Sequence, residues 1–223
     1  MALILSIETA TTNCSVSLSK DGKIIDLKED YNNSFSHAER LHVYIKALLE
    51  ENNVEPEQLD AIAVSKGPGS YTGLRIGVSA AKGLCFALNK PLISISTLES
   101  LAHQVNISEG NIVPMLDARR MEVYSAVFNF DHDQVRSIQA EIIEADSFNF
   151  YLEKGKVYFI GTGAEKTQST ILHPNANFIE RKLPSANEMS LLAYHKYKIS
   201  DIEDVAYFEP YYLKDFVALK AKK

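Results

Sequence analysis

The sequence predicts an α/β protein of two domains, each built from one module of three strands followed by a helix, a strand and a helix. The first observation is a repeat: an apolar strand, an acidic turn and an alternating strand occur near the N-terminus and again from residue 111. The second is length, because 223 residues suffice for one large domain or two small ones. The third is that no linker rich in glycine, proline or serine separates the copies, so we expect a packed hinge near residue 100.

The first module opens with three strands. Leu3 to Ile7 is a continuous apolar run, and Ser15 to Ser19 alternates polar and apolar residues, which predicts a strand with one face in water. Asp21-Gly22 is typical of a hairpin turn, so residues 23–27 are expected to return as the third strand. Glu8 begins the turn between the first two strands, and this places a carboxylate at the end of a buried strand.

Two long helices are predicted in the first half. One runs from about His37 to Glu51 behind a Ser36 N-cap. The other runs over residues 72–88, after a strand at 60–64 and a tight turn at 66–70. Its glycines weaken helix propensity by up to about 1 kcal/mol each. Small side chains allow another backbone to approach closely, so this helix either packs on its own sheet or offers a flat face to a second subunit.

The glycine-rich turn at 66–70 has two interpretations. A turn that precedes a helix N-terminus can bind a phosphate. However, the segment lacks the lysine of a Walker loop, and isolated glycine motifs are weak evidence. We favour a turn that only lets the helix pack closely.

The second half repeats the first. A strand at 111–116 leads to Asp117, which takes the place of Glu8, and an alternating strand follows at 123–128. The repeat predicts domains at 1–100 and 101–223, and it leaves open whether the C-terminal helix returns to the first domain. Further strands and helices are expected at 91–96, 98–105, 141–143, 157–160 and, behind a Ser185 N-cap, 186–197. The loop at 161–163 can open another helix.

The charge balance does not favour nucleic acid as a direct partner. The chain has 23 basic and 29 acidic residues and a net charge of −6, which gives no general attraction to phosphate backbones. The exception is a small basic tail, for which contact with RNA or a solvated end are the alternatives. It contains Lys214, Lys220, Lys222 and Lys223.

Cysteines and termini favour a cytoplasmic protein. Cys14 and Cys85 lie in apolar segments without metal-ligand or redox spacing, so we expect buried free thiols. The apolar N-terminal run is too short for a signal peptide or a membrane span. We therefore expect no membrane association.

No catalytic pattern is complete. His37 and His42 are five residues apart, about 140° around a helix, whereas metal pairs prefer a spacing of four. Two meanders with acidic turns are the layout of the actin, hexokinase and Hsp70-type ATPase (ASKHA) superfamily. A kinase of this fold would use Glu8 and Asp117 at its metal, but the first turn offers no second carboxylate.

Five segments together resemble the TsaB family, formerly called YeaZ. The resemblance covers most of the chain and is dense from residue 3 to 128. The segments are ILSIETAT (4–11), SKGPGSYTGLRIG (65–77), AAKGL (80–84), PLISISTLESL (91–101) and LDARRMEVYSA (116–126).

The resemblance implies a non-catalytic subunit, without cofactor or metal, of the complex that makes N6-threonylcarbamoyladenosine in tRNA (t6A37). Its partners would be the catalytic subunit TsaD and the ATPase TsaE, with a homodimer when alone and with tRNA contacted only through the complex. The TsaD relative carries a His-x-x-x-His motif, from which His37 followed by Leu41 departs. The alternative is an enzyme of the same superfamily, either an ATP-dependent kinase or a glycoprotease.

The resemblance also implies that the two long helices of the first half form the partner interface. Two such faces would pair as a four-helix interface. The alternative is that both helices only cover their own sheet. From helix spacing, the interface residues are predicted to be Leu41, Ile45, Leu48, Arg75, Ile76, Ser79 and Gly83.

Overall fold

The computed structural model describes residues 1–31 and 37–214. In these residues ten strands form two mixed sheets of five strands each, and α-helices pack on both. Counted within its own module, each sheet has the strand order third, second, first, fourth, fifth. The predicted duplication is therefore confirmed, with each βββαβα unit extended by one further strand and helix, and the doubled topology is that of the actin-like ASKHA fold.

The first module contains β1 to β5 and α1 to α3. β1 pairs antiparallel with β2 and parallel with β4. A short 3-10 helix, Pro56–Gln58, leads into β4. The elements are β1 Leu3–Glu8, β2 Cys14–Lys20, β3 Lys23–Asp30, α1 His37–Glu51, β4 Ala61–Gly67, α2 Tyr71–Leu88, β5 Leu92–Ser96 and α3 Thr97–Ala102.

The second module contains β6 to β10 and α4 to α6. β6 pairs antiparallel with β7 and parallel with β9, as β1 does with β2 and β4. The sequence did not predict β10, α4 or most of β8, whereas α5 follows the loop at 161–163 where a helix was expected. The elements are β6 Asn111–Asp117, β7 Glu122–Asn129, β8 Gln134–Ile142, α4 Asn149–Leu152, β9 Val157–Ile160, α5 Ala164–Thr167, β10 Ala176–Ile179 and α6 Ala186–Lys198.

Both faces of the first sheet are buried. Successive residues of a strand point to opposite faces, so Leu5 and Ile7 of β1 pack with α1 and α2, while Ile4 packs with α6. The same alternation in β4 directs Ile62 to the first layer and Ala63 to the second. This explains why β1 and β4 have continuous apolar sequences.

The last helix of each module packs on the sheet of the other module. Leu98 and Leu101 of α3 pack with Leu116 and other residues of the second sheet. Met189 and Ala193 of α6 pack on the first sheet. The helix at the C-terminus thus contacts the first module, although the division into domains at residue 100 stays a prediction.

The predicted water-exposed face of β2 is wrong. Ser15, Ser17 and Ser19 are completely buried, because α6 covers them. Ser17 Oγ donates a hydrogen bond to Ala186 O at 2.8 Å, and Ala186 N donates to Ser15 Oγ at 3.0 Å. The alternation correctly indicated a polar face. However, because this face meets the N-terminus of α6, its hydroxyl groups form hydrogen bonds with protein groups instead of water.

Helix ends agree with the sequence in part. Ser70 caps α2 by accepting a hydrogen bond from Gly73 N, and Ser185 caps α6 by accepting from Asn187 N. The predicted Ser36 cap of α1 lies outside the described residues.

In the described ranges no helix is both long and apolar enough to cross a membrane, and both cysteines are buried free thiols.

Candidate partner-binding face

A groove of about 690 Å³ lies on the outer surface of α1 and α2. We call it the α1–α2 groove. Its floor is largely apolar, since alanine, glycine, isoleucine and leucine side chains contribute to it. From α1 it is lined by Ala38 and His42, and from α2 by Arg75, Ile76, Ser79 and Gly83, among others.

The sequence of α2 gives this helix one buried and one exposed stripe. Gly73, Gly77 and Ala81 are buried, whereas Arg75, Ser79 and Gly83 are not. The exposed residues recur every four positions, so they lie along one line of the helix. Large apolar side chains are also exposed on both helices: Phe86 of α2 is 86% exposed and Val43 of α1 is 61% exposed.

The structure divides the predicted interface residues into two groups. Leu41 and Leu48 are completely buried and Ile45 is nearly so, all three in the core beneath α1. Their side chains do not reach the surface in this conformation, because the apolar stripe of α1 faces its own sheet. The structure does bring the other four together along the groove: Arg75, Ile76, Ser79 and Gly83.

Residues 206–212 of the C-terminal segment form one rim of the groove, beside Tyr71, Arg75 and Ser79. Lys82 Nζ on α2 donates to Ala206 O at 3.1 Å and to Phe208 O at 2.9 Å. The Tyr212 ring lies 5.1 Å from that of Tyr71, centroid to centroid. This segment is aromatic but has no helical or strand periodicity, so its position could not be predicted from the sequence.

The glycines of α2 serve close packing against the β1–β2 turn. A Cβ at Gly73 would lie 2.1 Å from Thr9 O, and one at Gly77 would lie 2.2 Å from Thr9 Oγ1. Ser70 N donates to Ala10 O at 2.7 Å. The turn before α2 is therefore occupied by backbone of this chain, which favours the packing interpretation over the phosphate site.

Glu8 is held in a closed, buried position. Its Oε1 accepts hydrogen bonds from Ala10 N at 2.5 Å and from Ser65 Oγ at 2.8 Å. Burial raises the pKa of this carboxyl to about 7, and the hydrogen bonds oppose that rise. A carboxyl so enclosed is poorly placed to bind a metal ion with its nucleotide.

Asp117, the counterpart of Glu8, is half exposed and paired within the chain. Lys166 Nζ lies 2.5 Å from Asp117 Oδ1 and also donates to Arg120 O and Glu122 O. Lys166 thus holds this carboxylate in an ion pair within the second module. Neither carboxylate that the kinase alternative requires is free in this conformation.

The two histidines of α1 are separated by the helix. His37 is buried, with Nε2 2.7 Å from Thr11 O, and burial lowers its pKa. His42 lies in the α1–α2 groove. Across residues 1–31 and 37–214, no group of three or more His, Cys, Asp and Glu side chains is arranged to hold a metal ion.

Comparison with known sequences gives consistent relatives. Residues 32–222 match the family model described as TsaD, tRNA N6-adenosine threonylcarbamoyltransferase. The chain is 33% identical to the tRNA threonylcarbamoyladenosine biosynthesis protein TsaB of Bacillus subtilis over 71% of this chain and 70% of that protein. It is 29% identical to the protein of the same name from Escherichia coli over 97% and 96% of the two chains.

A solved structure has the same fold throughout. YeaZ from Pseudomonas aeruginosa superposes with a TM-score of 0.84 and 27% sequence identity. The match covers 96% of this chain and 100% of that one. The resemblance seen in the sequence therefore extends to both modules.

Proposed function

The chain belongs to the TsaB (YeaZ) family of tRNA threonylcarbamoyladenosine biosynthesis proteins, and from this premise we propose that it is the non-catalytic subunit that binds and activates a TsaD-like threonylcarbamoyltransferase. The α1–α2 groove is the binding face in this proposal. A TsaE-like ATPase joins the complex, and the chain forms a homodimer when it is alone.

The observation that carries the proposal is the exposed, largely apolar groove on α1 and α2. Phe86 and Val43 on the same two helices are also largely exposed, and exposed apolar surfaces of this kind mark protein interfaces. Arg75 and Tyr71 on its rim are residue types that often dominate binding energy. Arg75 Nη1 donates to Tyr71 OH at 3.1 Å, which orders both side chains before a partner arrives.

The state of the two carboxylates supports a non-catalytic role. Glu8 is enclosed by Ala10 and Ser65, and Asp117 is paired with Lys166. In the TsaD relative, the resemblance places a histidine pair on the first helix. Here the second position is the buried Leu41, which packs in the core.

The test uses Ser79→Glu and Gly83→Glu on the exposed stripe of α2. Both positions are open, and a Cβ at Gly83 meets no atom within 4 Å, so the chain should stay folded. We expect each change to weaken pairing with the TsaD of the same organism at least tenfold, because a charge would be buried in an apolar contact. Light scattering with gel filtration measures the pairing.

Ser169→Glu is the matched control, since it makes the same change at an exposed position of the second module. It should leave pairing intact. Gly77→Glu is unsuitable, because its side chain would collide with Thr9. Undiminished pairing of both groove variants would reject this face, and no pairing of the unmodified chain at micromolar concentrations would reject the proposed function.

A further inference from the structure

The turn between β6 and β7 carries two adjacent arginines, which we call the arginine turn: Arg119 and Arg120. Both residues are exposed. In the described part of the chain, neither guanidinium group forms an ion pair or a hydrogen bond. The corresponding turn of the first module, residues 9–13, contains no basic residue and is mostly buried.

The backbone of the arginine turn is unfavourable for arginine. Arg119 has a φ of 75° and Arg120 a φ of 50°, a region that glycine, asparagine and aspartate adopt most readily. The turn is closed by Glu122 N donating to Arg119 O at 3.1 Å and Ala118 N donating to Glu122 O at 3.0 Å. Glycine or asparagine would suit this backbone better, and residues held in such a conformation cluster at functional sites.

The two carboxylates that flank the turn are each paired with a lysine. Asp117 pairs with Lys166, and Glu122 pairs with Lys214. Neither carboxylate is therefore paired with an arginine of the turn among the described residues. The two adjacent arginines stand out in a chain whose net charge is −6.

The arginine turn lies next to the rim of the α1–α2 groove. Lys214 contacts Glu122 at the base of the turn, while Tyr212 contacts Tyr71 on α2. Residues 212 and 214 are two positions apart, which is at most about 7 Å along an extended chain. A partner seated in the groove would therefore have the arginine turn at its edge.

We propose that the arginine turn binds phosphate groups of an RNA backbone while a partner enzyme occupies the α1–α2 groove. The guanidinium fork matches the geometry of phosphate oxygens and binds them in pairs. Two exposed arginines on a hairpin tip suit an extended polyanion that passes over the surface. The inference rests on the proposed function, which supplies a tRNA as the substrate of the complex, and it replaces the expectation that tRNA is contacted only indirectly.

The test compares the complex of the full chain and its TsaD partner with the same complex carrying Arg119→Asn and Arg120→Gly together. These residues fit positive φ, so the thermal midpoint of the variant should equal or exceed that of the wild type. Its affinity for tRNA should fall about tenfold at 0.1 M salt. The slope of log K against log salt should shrink by about 1 for each arginine lost. Fluorescence anisotropy of labelled tRNA gives both quantities.

Two further variants separate charge at this site from charge in general. Lys20→Gln with Lys23→Gln removes the same charge from exposed positions of the β2–β3 hairpin and should leave tRNA binding unchanged. Arg119→Lys with Arg120→Lys keeps the charge and should recover most of the affinity. An ATP titration of the complex tests a free nucleotide as the source of the phosphate.

The outcomes are distinct. Unchanged tRNA affinity and salt slope in the asparagine–glycine variant would overturn the inference, as would an equal loss in the lysine-to-glutamine control. Competition of ATP with tRNA at this turn would also overturn it, in favour of a nucleotide site. Pairing with TsaD is measured first in each sample. If the wild type does not pair, the result counts against the proposed function. If it does pair, a change in tRNA affinity reports on the arginine turn alone.

Discussion

The two modules share a topology, but they treat the turn after their first strand in opposite ways. In the first module the turn is covered by α2 and contacted by α1 and by the segment before α6. In the second module the turn is exposed and carries arginines. The helices account for the difference: α1 and α2 have 15 and 18 residues, whereas α4 and α5 have four each. A duplicated fold can thus close one copy of a site and leave the other to solvent by changing helix length.

The difference is also electrostatic. The carboxyl of Glu8 is buried away from water and accepts hydrogen bonds from Ala10 and Ser65 instead. The carboxylate of Asp117 kept much of its water and gained Lys166. Equivalent positions in a repeat therefore have different chemistry, and three measurements can test the contrast.

The largest effect is expected for Glu8→Gln as a function of pH. Burial raises the Glu8 pKa from 4.5 to about 7, so the native state keeps a proton that the unfolded state loses in this window. Stability contributed by this group is therefore present at low pH and is lost as the pH rises through 7, by about 3 kcal/mol in total. Glutamine does not titrate, so the variant lacks this pH-dependent contribution to stability. Urea denaturation of both proteins between pH 4 and 8 should show their difference in unfolding free energy changing by that amount.

Glutamine keeps an oxygen to accept from Ala10 N and Ser65 Oγ, so the variant should fold. Taking the difference between the two proteins removes the contribution of other titrating groups, such as His37 and Glu99. Parallel pH profiles would show that Glu8 is not closed off from water as described.

A smaller effect is expected for Gly73→Ala, which tests the contact that closes the first turn. Its Cβ would lie 2.1 Å from Thr9 O, a backbone atom that cannot move freely. Overpacking of this kind costs about 1 to 3 kcal/mol. Gly83→Ala on the same helix is the control, and it should stabilise by up to about 1 kcal/mol through helix propensity. Chemical denaturation of the two variants should give opposite signs, and equal signs would contradict the contact.

The smallest effect is expected for Asp117→Asn. The change removes the ion pair with Lys166 but leaves no charge buried alone, because both groups reach solvent. Pairs of this kind contribute at most about 1 kcal/mol. A loss above about 2 kcal/mol in thermal or urea denaturation would show that the second turn depends on its acid as strongly as the first.

The sequence predicted most of the first module. Apolar runs and helical periodicity located β1, α1, β4 and α2 because each is long and has one dominant pattern. The short elements of the second module lack such patterns: Asn149–Leu152 and Ala164–Thr167 form single helical turns that only tertiary contacts specify. The buried serines of β2 were missed for a related reason, since alternation shows that a face is polar but not what covers it.

The candidate site was predicted less completely. The exposed stripe of α2 follows from helix spacing, and Arg75, Ile76, Ser79 and Gly83 do line one groove. The apolar stripe of α1 had two interpretations, core or interface, and hydrophobicity alone does not separate them. The C-terminal rim depends on long-range contacts such as that of Lys82 with Phe208 O, which no local pattern encodes.

Because the last helix of each module packs on the sheet of the other, the two cores can be completed only in a certain order during synthesis. The strands of the first sheet and the helices α1 and α2 are complete once residue 96 has been made. The other face of that sheet stays uncovered until α6, Ala186–Lys198, leaves the ribosome. We therefore expect Ile4, Ala63 and Ile93 of the nascent first module to stay exposed until α6 is made, as a surface that a chaperone could bind.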